Sequence, residues 1–155
     1  MRKFIAMIFS TALLLAITAC GATPPHTESV GTVAAYDNYT AELLEADFYT
    51  DDNGKSIVRV SVNYTNNNSD GMYMLESFVV KAFQDDTELV DLTDINDDKQ
   101  SVTLIKEVKD GQSIAGSYVF ELSSTSPVEV RICSPTADEE LLAMREYAYE
   151  AQNTD

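Results

Sequence analysis

The side chains most able to do chemistry here are carboxylates: 26 Asp and Glu stand against 10 Lys and Arg, with a formal net charge of −16. They crowd most closely in Asp91, Asp94, Asn96, Asp97 and Asp98, where Asp94-Ile95-Asn96-Asp97-Asp98 sets oxygens at alternate positions. Calcium takes about six to eight such oxygens, so Asp91, Asp94, Asn96 and Asp98 form the candidate metal set. An EF-hand register begun at Asp94 needs glycine where Lys99 stands and glutamate where Ile105 stands, and it has neither. The competing reading is a solvated acidic loop. Zinc is disfavoured, because the only soft ligands left are His26 and Cys133. A carboxylate-dependent hydrolase needs two acids facing each other across a substrate cleft, and no spacing singles out such a pair. Nucleophilic catalysis wants a base beside the nucleophile. The sole histidine, His26, lies in a polar stretch far along the chain from Cys133. Cys133 itself ends the apolar run Val128-Glu129-Val130-Arg131-Ile132-Cys133, the setting of a buried thiol acting as a small hydrophobe. With no glycine-rich phosphate loop either, the residues predict no catalytic site and no enzyme, and calcium is the one cofactor they admit. A last candidate concerns recognition. Met72, Tyr73 and Met74, followed by Leu75, form an apolar cluster after a polar turn. Exposed, it is a contact patch; buried, it plugs one end of the fold.

Charge and targeting narrow the partners. A chain this acidic repels nucleic acid and bare anionic lipid. Arg2 and Lys3 precede an almost unbroken apolar run, Phe4 to Ile17, which ends in Thr18-Ala19 before Cys20. A charged start, an apolar centre shorter than a membrane span and small residues before a cut are the marks of a secretory signal. Ile17-Thr18-Ala19-Cys20 resembles the lipobox of bacterial lipoproteins. That resemblance implies cleavage before Cys20 and acyl chains (diacylglycerol, often with a further fatty acid such as palmitate) on the new terminus. Two or three acyl chains hold a protein on a membrane where one does so only marginally. With Cys20 consumed, Cys133 has no disulfide partner within the chain.

The segments beyond the signal must position these residues. Residues 1–19 are the signal peptide, and residues 20–37, with Pro24, Pro25 and several Ser, Thr and Gly, form a lipidated flexible tether. From Tyr39 the apolar period becomes two. Val58, Val60, Val62 and Tyr64 alternate with Arg59, Ser61 and Asn63, the pattern of a half-buried antiparallel strand. Asn53-Gly54 supplies the turn before it. Further strands are predicted over Phe78–Phe83, Glu88–Leu92, Val102–Ile105, Ile114–Leu122 and Val128–Ile132. About seven short strands in roughly 100 residues predict an all-β, immunoglobulin-like antiparallel β-sandwich over residues 38–134. In residues 135–155, Thr136-Ala137-Asp138-Glu139 fits a capping box, and the spacing of Leu141, Leu142, Met144, Arg145 and Ala148 predicts a short C-terminal helix from about Ala137 to Tyr149.

Four stretches, Val60-Ser61-Val62-Asn63-Tyr64-Thr65-Asn66-Asn67, Lys81-Ala82-Phe83-Gln84-Asp85, Val108-Lys109-Asp110-Gly111 and Ser126-Pro127-Val128-Glu129-Val130, resemble the small lipoproteins of Gram-positive gut bacteria grouped as domain of unknown function 5067. The resemblance covers Thr40 to Ile132 and implies an Ig-like sandwich on the cell surface. The family usually has proline where this chain has Asp110, and it supplies no functional residue to carry over. The expected protein is an extracytoplasmic lipoprotein, anchored through Cys20 to the outer leaflet of a Gram-positive membrane. Its non-catalytic Ig-like module binds an unidentified surface or envelope partner. The alternative is a calcium-dependent adhesion or sensing domain built on Asp91–Asp98.

Overall fold

The computed structural model describes residues 30–96 and 101–150; the signal segment, Cys20, the tether up to residue 29, Asp97 and Asp98 lie outside them. The two-residue period is plainest in β3 (Ser56–Asn66), where Val58, Val60, Val62 and Tyr64 are fully buried and Arg59, Ser61, Asn63 and Thr65 are half-exposed. β-branched residues suit that pleated, half-buried surface. The turn before β3 is held by Asp51, whose Oδ1 accepts the Asn53 and Lys55 amides at 2.9 and 2.8 Å, while Gly54 takes a φ of 82°.

β3 is the centre of a five-stranded antiparallel sheet. It pairs on one side with β2 (Tyr39–Thr50), which pairs in turn with β1 (Val33–Tyr36). On the other side lies β9 (Gln112–Glu121), extended by the two-residue β7 (Val90–Asp91). The second sheet runs β11 (Leu141–Tyr147), β10 (Val128–Cys133), β5 (Val79–Gln84), β6 (Thr87–Glu88). One core joins the inner faces: Val58, Val60, Val62 and Phe120 from the first sheet, and Ala82, Val128, Val130 and Ile132 from the second. A third, two-stranded ladder, β4 (Met72–Tyr73) with β8 (Glu107–Val108), closes one end. Among the described residues, no helix is long and apolar enough to cross a membrane.

Three expectations change. Residues 141–147 are a strand, not a helix: β11 pairs with β10 from Val128↔Tyr147 to Cys133↔Leu141. Leu, Met, Arg and Glu favour helix intrinsically. Here β10 offers an unpaired edge, and Glu139, at a φ of 44°, ends the Thr136–Glu139 turn in a conformation a helix cannot continue. Segment Ser101–Ile105 is a 3₁₀ helix rather than a strand. Its buried residues, Ser101 and Leu104, are three apart, one turn of that helix. Finally, β1 lies inside the stretch expected to be tether, and about seven strands become eleven among the described residues because short edge pieces surround six longer ones.

The edges of the first sheet are closed by side chains. The 3₁₀ segment lies along the open side of β9, where Ser101 Oγ donates to the Ser117 carbonyl and Thr103 Oγ1 to that of Ala115. Thr93 Oγ1 accepts the Val119 amide. Beside β2, a bulge between Leu43 and Ala46 turns carbonyls outward. The Leu44 carbonyl accepts Arg145 Nη1 at 2.5 Å and the Tyr147 hydroxyl at 2.9 Å. Residues Gly31 and Thr32 tie both sheets together: the Gly31 carbonyl accepts the Met144 amide and the Thr32 carbonyl accepts that of Leu43.

Candidate functional site

At the end of the fold where β3 finishes, a buried amide organises the loops. Asn66 continues the inward-facing series Val58, Val60, Val62, Tyr64 and is fully buried. Its Nδ2 donates to the Asp70 and Val108 carbonyls, each at 2.7 Å, and its Oδ1 accepts the Asn68 amide at 2.7 Å. All its capacity for strong bonding is directed at the chain around β4 and β8, as a polar group in a dry interior requires. Next to it a hydroxyl relay fixes α1 (Met74–Ser77). Ser77 Oγ donates to the Tyr73 carbonyl at 2.9 Å and therefore accepts the Tyr64 hydroxyl, 2.8 Å away. Burial pushes the Tyr64 phenol above its ordinary pKa, so it stays a proton donor in this relay.

This support presents apolar side chains to solvent. Tyr73, Leu75 and Ile105 are 38, 44 and 40 % exposed. With Glu76 they line a shallow cavity of about 220 Å³. Beneath them Met74 and Leu104 are buried in the core. Met72 is half-buried, and Glu107 lies over Gly71. Of the sequence-derived recognition residues, Met74 is thus core, Met72 intermediate and Tyr73 surface. Leu75 is brought to Ile105, a residue the linear reading left in a strand, through the pairing of Met72 with Val108 and Tyr73 with Glu107. No local spacing links those two positions. Asn66, by contrast, carried a signal: a polar residue at the next inward position of a strand.

Of the candidate metal set, Asp98 lies outside the described residues, and the others are not drawn together. Asp91 Oδ1 accepts the Thr93 amide and Asp94 Oδ1 the Asn96 amide, both at 2.8 Å, each within its own turn. Among the described residues, no three His, Cys, Asp or Glu converge on a point that would hold a metal ion. Cys133 is buried, and burial pushes its thiol pKa up, away from a reactive thiolate. Two further cavities have charged residues in their walls. One of about 580 Å³ lies beside the β2 bulge between Glu42, Glu45, Ser61 and Arg145. One of about 210 Å³ lies between Phe83, Asp85, Asp86, Glu129 and Glu146. A second buried amide, Gln84, bonds the Ser124 and Ser126 carbonyls and accepts the Ser123 and Ser124 amides, and so fixes the loop beside the latter cavity.

The fold has relatives of known structure. A "putative lipoprotein" of Staphylococcus aureus superposes with a TM-score of 0.62 at 13 % identity, over 79 % of this chain and 91 % of its own. A protein from Enterococcus faecalis gives 0.53 at 19 % identity, over 77 and 90 %. A "putative lipoprotein" of Bacillus subtilis gives 0.52 at 12 % identity, over 79 % of this chain and 40 % of its own. At these identities the likeness is one of fold. None of the curated proteins is similar to this chain. The family described as "Domain of unknown function (DUF5067)" matches residues 21–133, a span that runs through β1 to β10 and carries both the Asn66 support and the Tyr73–Leu75–Ile105 surface. With that much of its sequence inside the family's pattern, the chain belongs to the DUF5067 family.

Proposed function

We propose that this protein is a membrane-anchored extracytoplasmic lipoprotein whose Ig-like module binds a protein partner, without catalysis, through the Tyr73–Leu75–Ile105 surface. The observation that carries the reading is an exposed apolar cluster on a fixed support. β1 runs along β2 from Val33, opposite Glu42, to the Asp37–Asn38 turn. That turn shares an end with the cluster, since the Asn38 carbonyl accepts the Asn67 amide. An anchor on Cys20 would hold the module on the outer leaflet of a Gram-positive membrane. Exposed aromatic and aliphatic groups that rest on rigid neighbours are what interface centres are made of. The acidity of the chain disfavours nucleic acid as partner.

Two measurements test it. Labelling cells with a palmitate analogue is expected to mark the protein and to fail for Cys20→Ala; labelling that persists in the variant would remove the lipid anchor. A photocrosslinking residue placed at Leu75 or Ile105 on living cells is expected to give a discrete adduct, with none from a control at Glu146. Equal adducts from all three positions, or none at any, would dismiss this surface.

A further inference from the structure

We infer that the occupant of the Tyr73–Leu75–Ile105 surface is an apolar side chain presented on a cationic segment of a protein; this rests on the proposed function above and names the chemistry of its partner. The apolar groove is small. At about 220 Å³ it takes one leucine or phenylalanine, not a folded hydrophobic face. Its surround is acidic. Glu76 lines the groove, Glu107 pairs across the ladder with Tyr73 and lies over Gly71, and Asp70 and Asp110 sit in the two loops that Asn66 and Gly111 tie to the same end. Lys106 and Lys109 are the positive charges among them, so carboxylates dominate this end as they dominate the chain, whose net charge is −16.

Two kinds of occupant are apolar enough to enter, and charge separates them. An anionic lipid surface would have to bring its own negative field against these carboxylates, whereas a lysine- or arginine-rich segment meets them favourably. Opposite fields speed encounter and select partners, while the buried apolar contact holds the complex. The Glu76 side chain lines the groove and Glu107 is the cross-strand partner of Tyr73, so a cation next to the inserted side chain meets a carboxylate at the groove wall and a second one strand away. The preferred ligand is therefore a basic peptide segment with one large apolar residue, and a bilayer is the outcome to be excluded.

The probe is a five-residue amidated peptide, Lys-Lys-Leu-Lys-Lys, titrated into the soluble domain (Thr23 to Asp155) and followed by backbone amide chemical shifts. Shifts at Tyr73, Leu75, Glu76 and Ile105 that saturate are expected. Lys-Lys-Ser-Lys-Lys should not produce them, nor Glu-Glu-Leu-Glu-Glu. Leu75→Ser, and separately Glu76→Lys with Glu107→Lys, should each weaken binding by about fivefold or more, the effect of losing roughly 1 kcal/mol at an interface. All these side chains are exposed, and unchanged spectra elsewhere will show that the variants fold. Equal binding of the glutamate peptide, lysine-peptide shifts that spread instead over Asp85 and Glu146, no localised shift at all, or docking of this end on phosphatidylglycerol vesicles would overturn the inference. The crosslinking from Leu75 reads the surface itself, independently of the peptide. Adducts without peptide binding would defeat the cationic partner alone, whereas loss of both would defeat the surface.

Discussion

Replacing Asn66 separates a structural polar residue from an incidental one. Its three bonds differ in what happens when they are cut. The Val108 carbonyl is buried, so Asn66→Ala leaves it without a partner at a cost of about 1–3 kcal/mol. The Asp70 carbonyl and the Asn68 amide lie nearer solvent, where water replaces most of each lost bond, adding about 0.5 kcal/mol apiece. The expected loss is about 2–4 kcal/mol, a fall of about 1.3–2.7 M in the urea midpoint if the slope is near 1.5 kcal/mol per molar. Asn66→Asp sharpens the test. The carboxylate keeps the acceptor for the Asn68 amide but aims negative oxygens at two carbonyls, so at pH 7 it should be worse than alanine. Burial and those carbonyls raise the new acid's pKa in the fold. Its penalty is then full above that raised value and fades as pH falls toward the unfolded value of about 3.9, where the neutral acid can donate one bond. Equilibrium urea unfolding at pH 7 and pH 4.5 reads both effects. Hydrogen exchange should show the extra opening confined to residues 67–73 and 107–109. A loss below about 1 kcal/mol for alanine, or an aspartate variant as stable as the parent at pH 7, would refute the assignment of Asn66 as the support of this end.

Other perturbations draw on the same contacts. A Cβ at Gly116 would meet Leu104 Cδ2 at 2.6 Å and Thr103 Oγ1 at 2.8 Å; Leu104 is fully buried, so Gly116→Ala should cost about 1–3 kcal/mol by thermal unfolding, and a neutral result would mean the 3₁₀ segment shifts freely. Burial raises the phenols of Tyr64, Tyr118 and Tyr147, the last to about 12, and the Tyr118 hydroxyl has no hydrogen-bond partner among the described residues. For Tyr147 the neutral phenol is the folded form, so this stability is whole below about pH 10 and is lost as pH climbs toward 12, at about 1.4 kcal/mol per unit, and Tyr64 and Tyr118 add losses of the same sign. Absorbance at 295 nm should show three tyrosines ionising only with unfolding, and three early, normal ionisations would contradict it. Melting is expected to be the same in EDTA and in millimolar calcium, because among the described residues no three carboxylates converge on one point. A rise of several degrees that disappears in Asp94→Ala would instead make the acidic loop a metal site.

What could be read from the sequence depended on how local the cause was. Val58 to Tyr64 declared a strand because each alternate residue meets the same core, and Asn53-Gly54 declared the turn before it for its own backbone reasons. Leu141 to Tyr147 did not, since its residues prefer helix in isolation and only the edge of β10 makes them a strand. Ser101 to Ile105 likewise obeys a distant cause, the glycine at 116 that leaves room for Leu104. The apolar end was half legible: Tyr73 and Leu75 stood together in sequence, while Ile105 joined them only through the β4–β8 pairing. The buried amides Asn66 and Gln84 were the missed clue. Each extends an inward-facing series by one step, and each ends its strand by bonding a loop at that end of the sheet.

The placement of Gly31 and Thr32 has a mechanical consequence. The first residues after the tether are bonded to both sheets, and β1 then lies along β2 in four antiparallel pairs up to the turn at the apolar end. A load drawn between that end and Val30 runs parallel to the strands, so the ladder is sheared and its bonds resist together. A load drawn across the strands, between β1 and β7 at the two edges of the first sheet, would peel them one at a time. Single-molecule pulling along the two directions should find the first markedly stronger, and equal rupture forces would contradict this geometry. A tethered protein whose partner tugs on its far end would then be held by its stiffest direction.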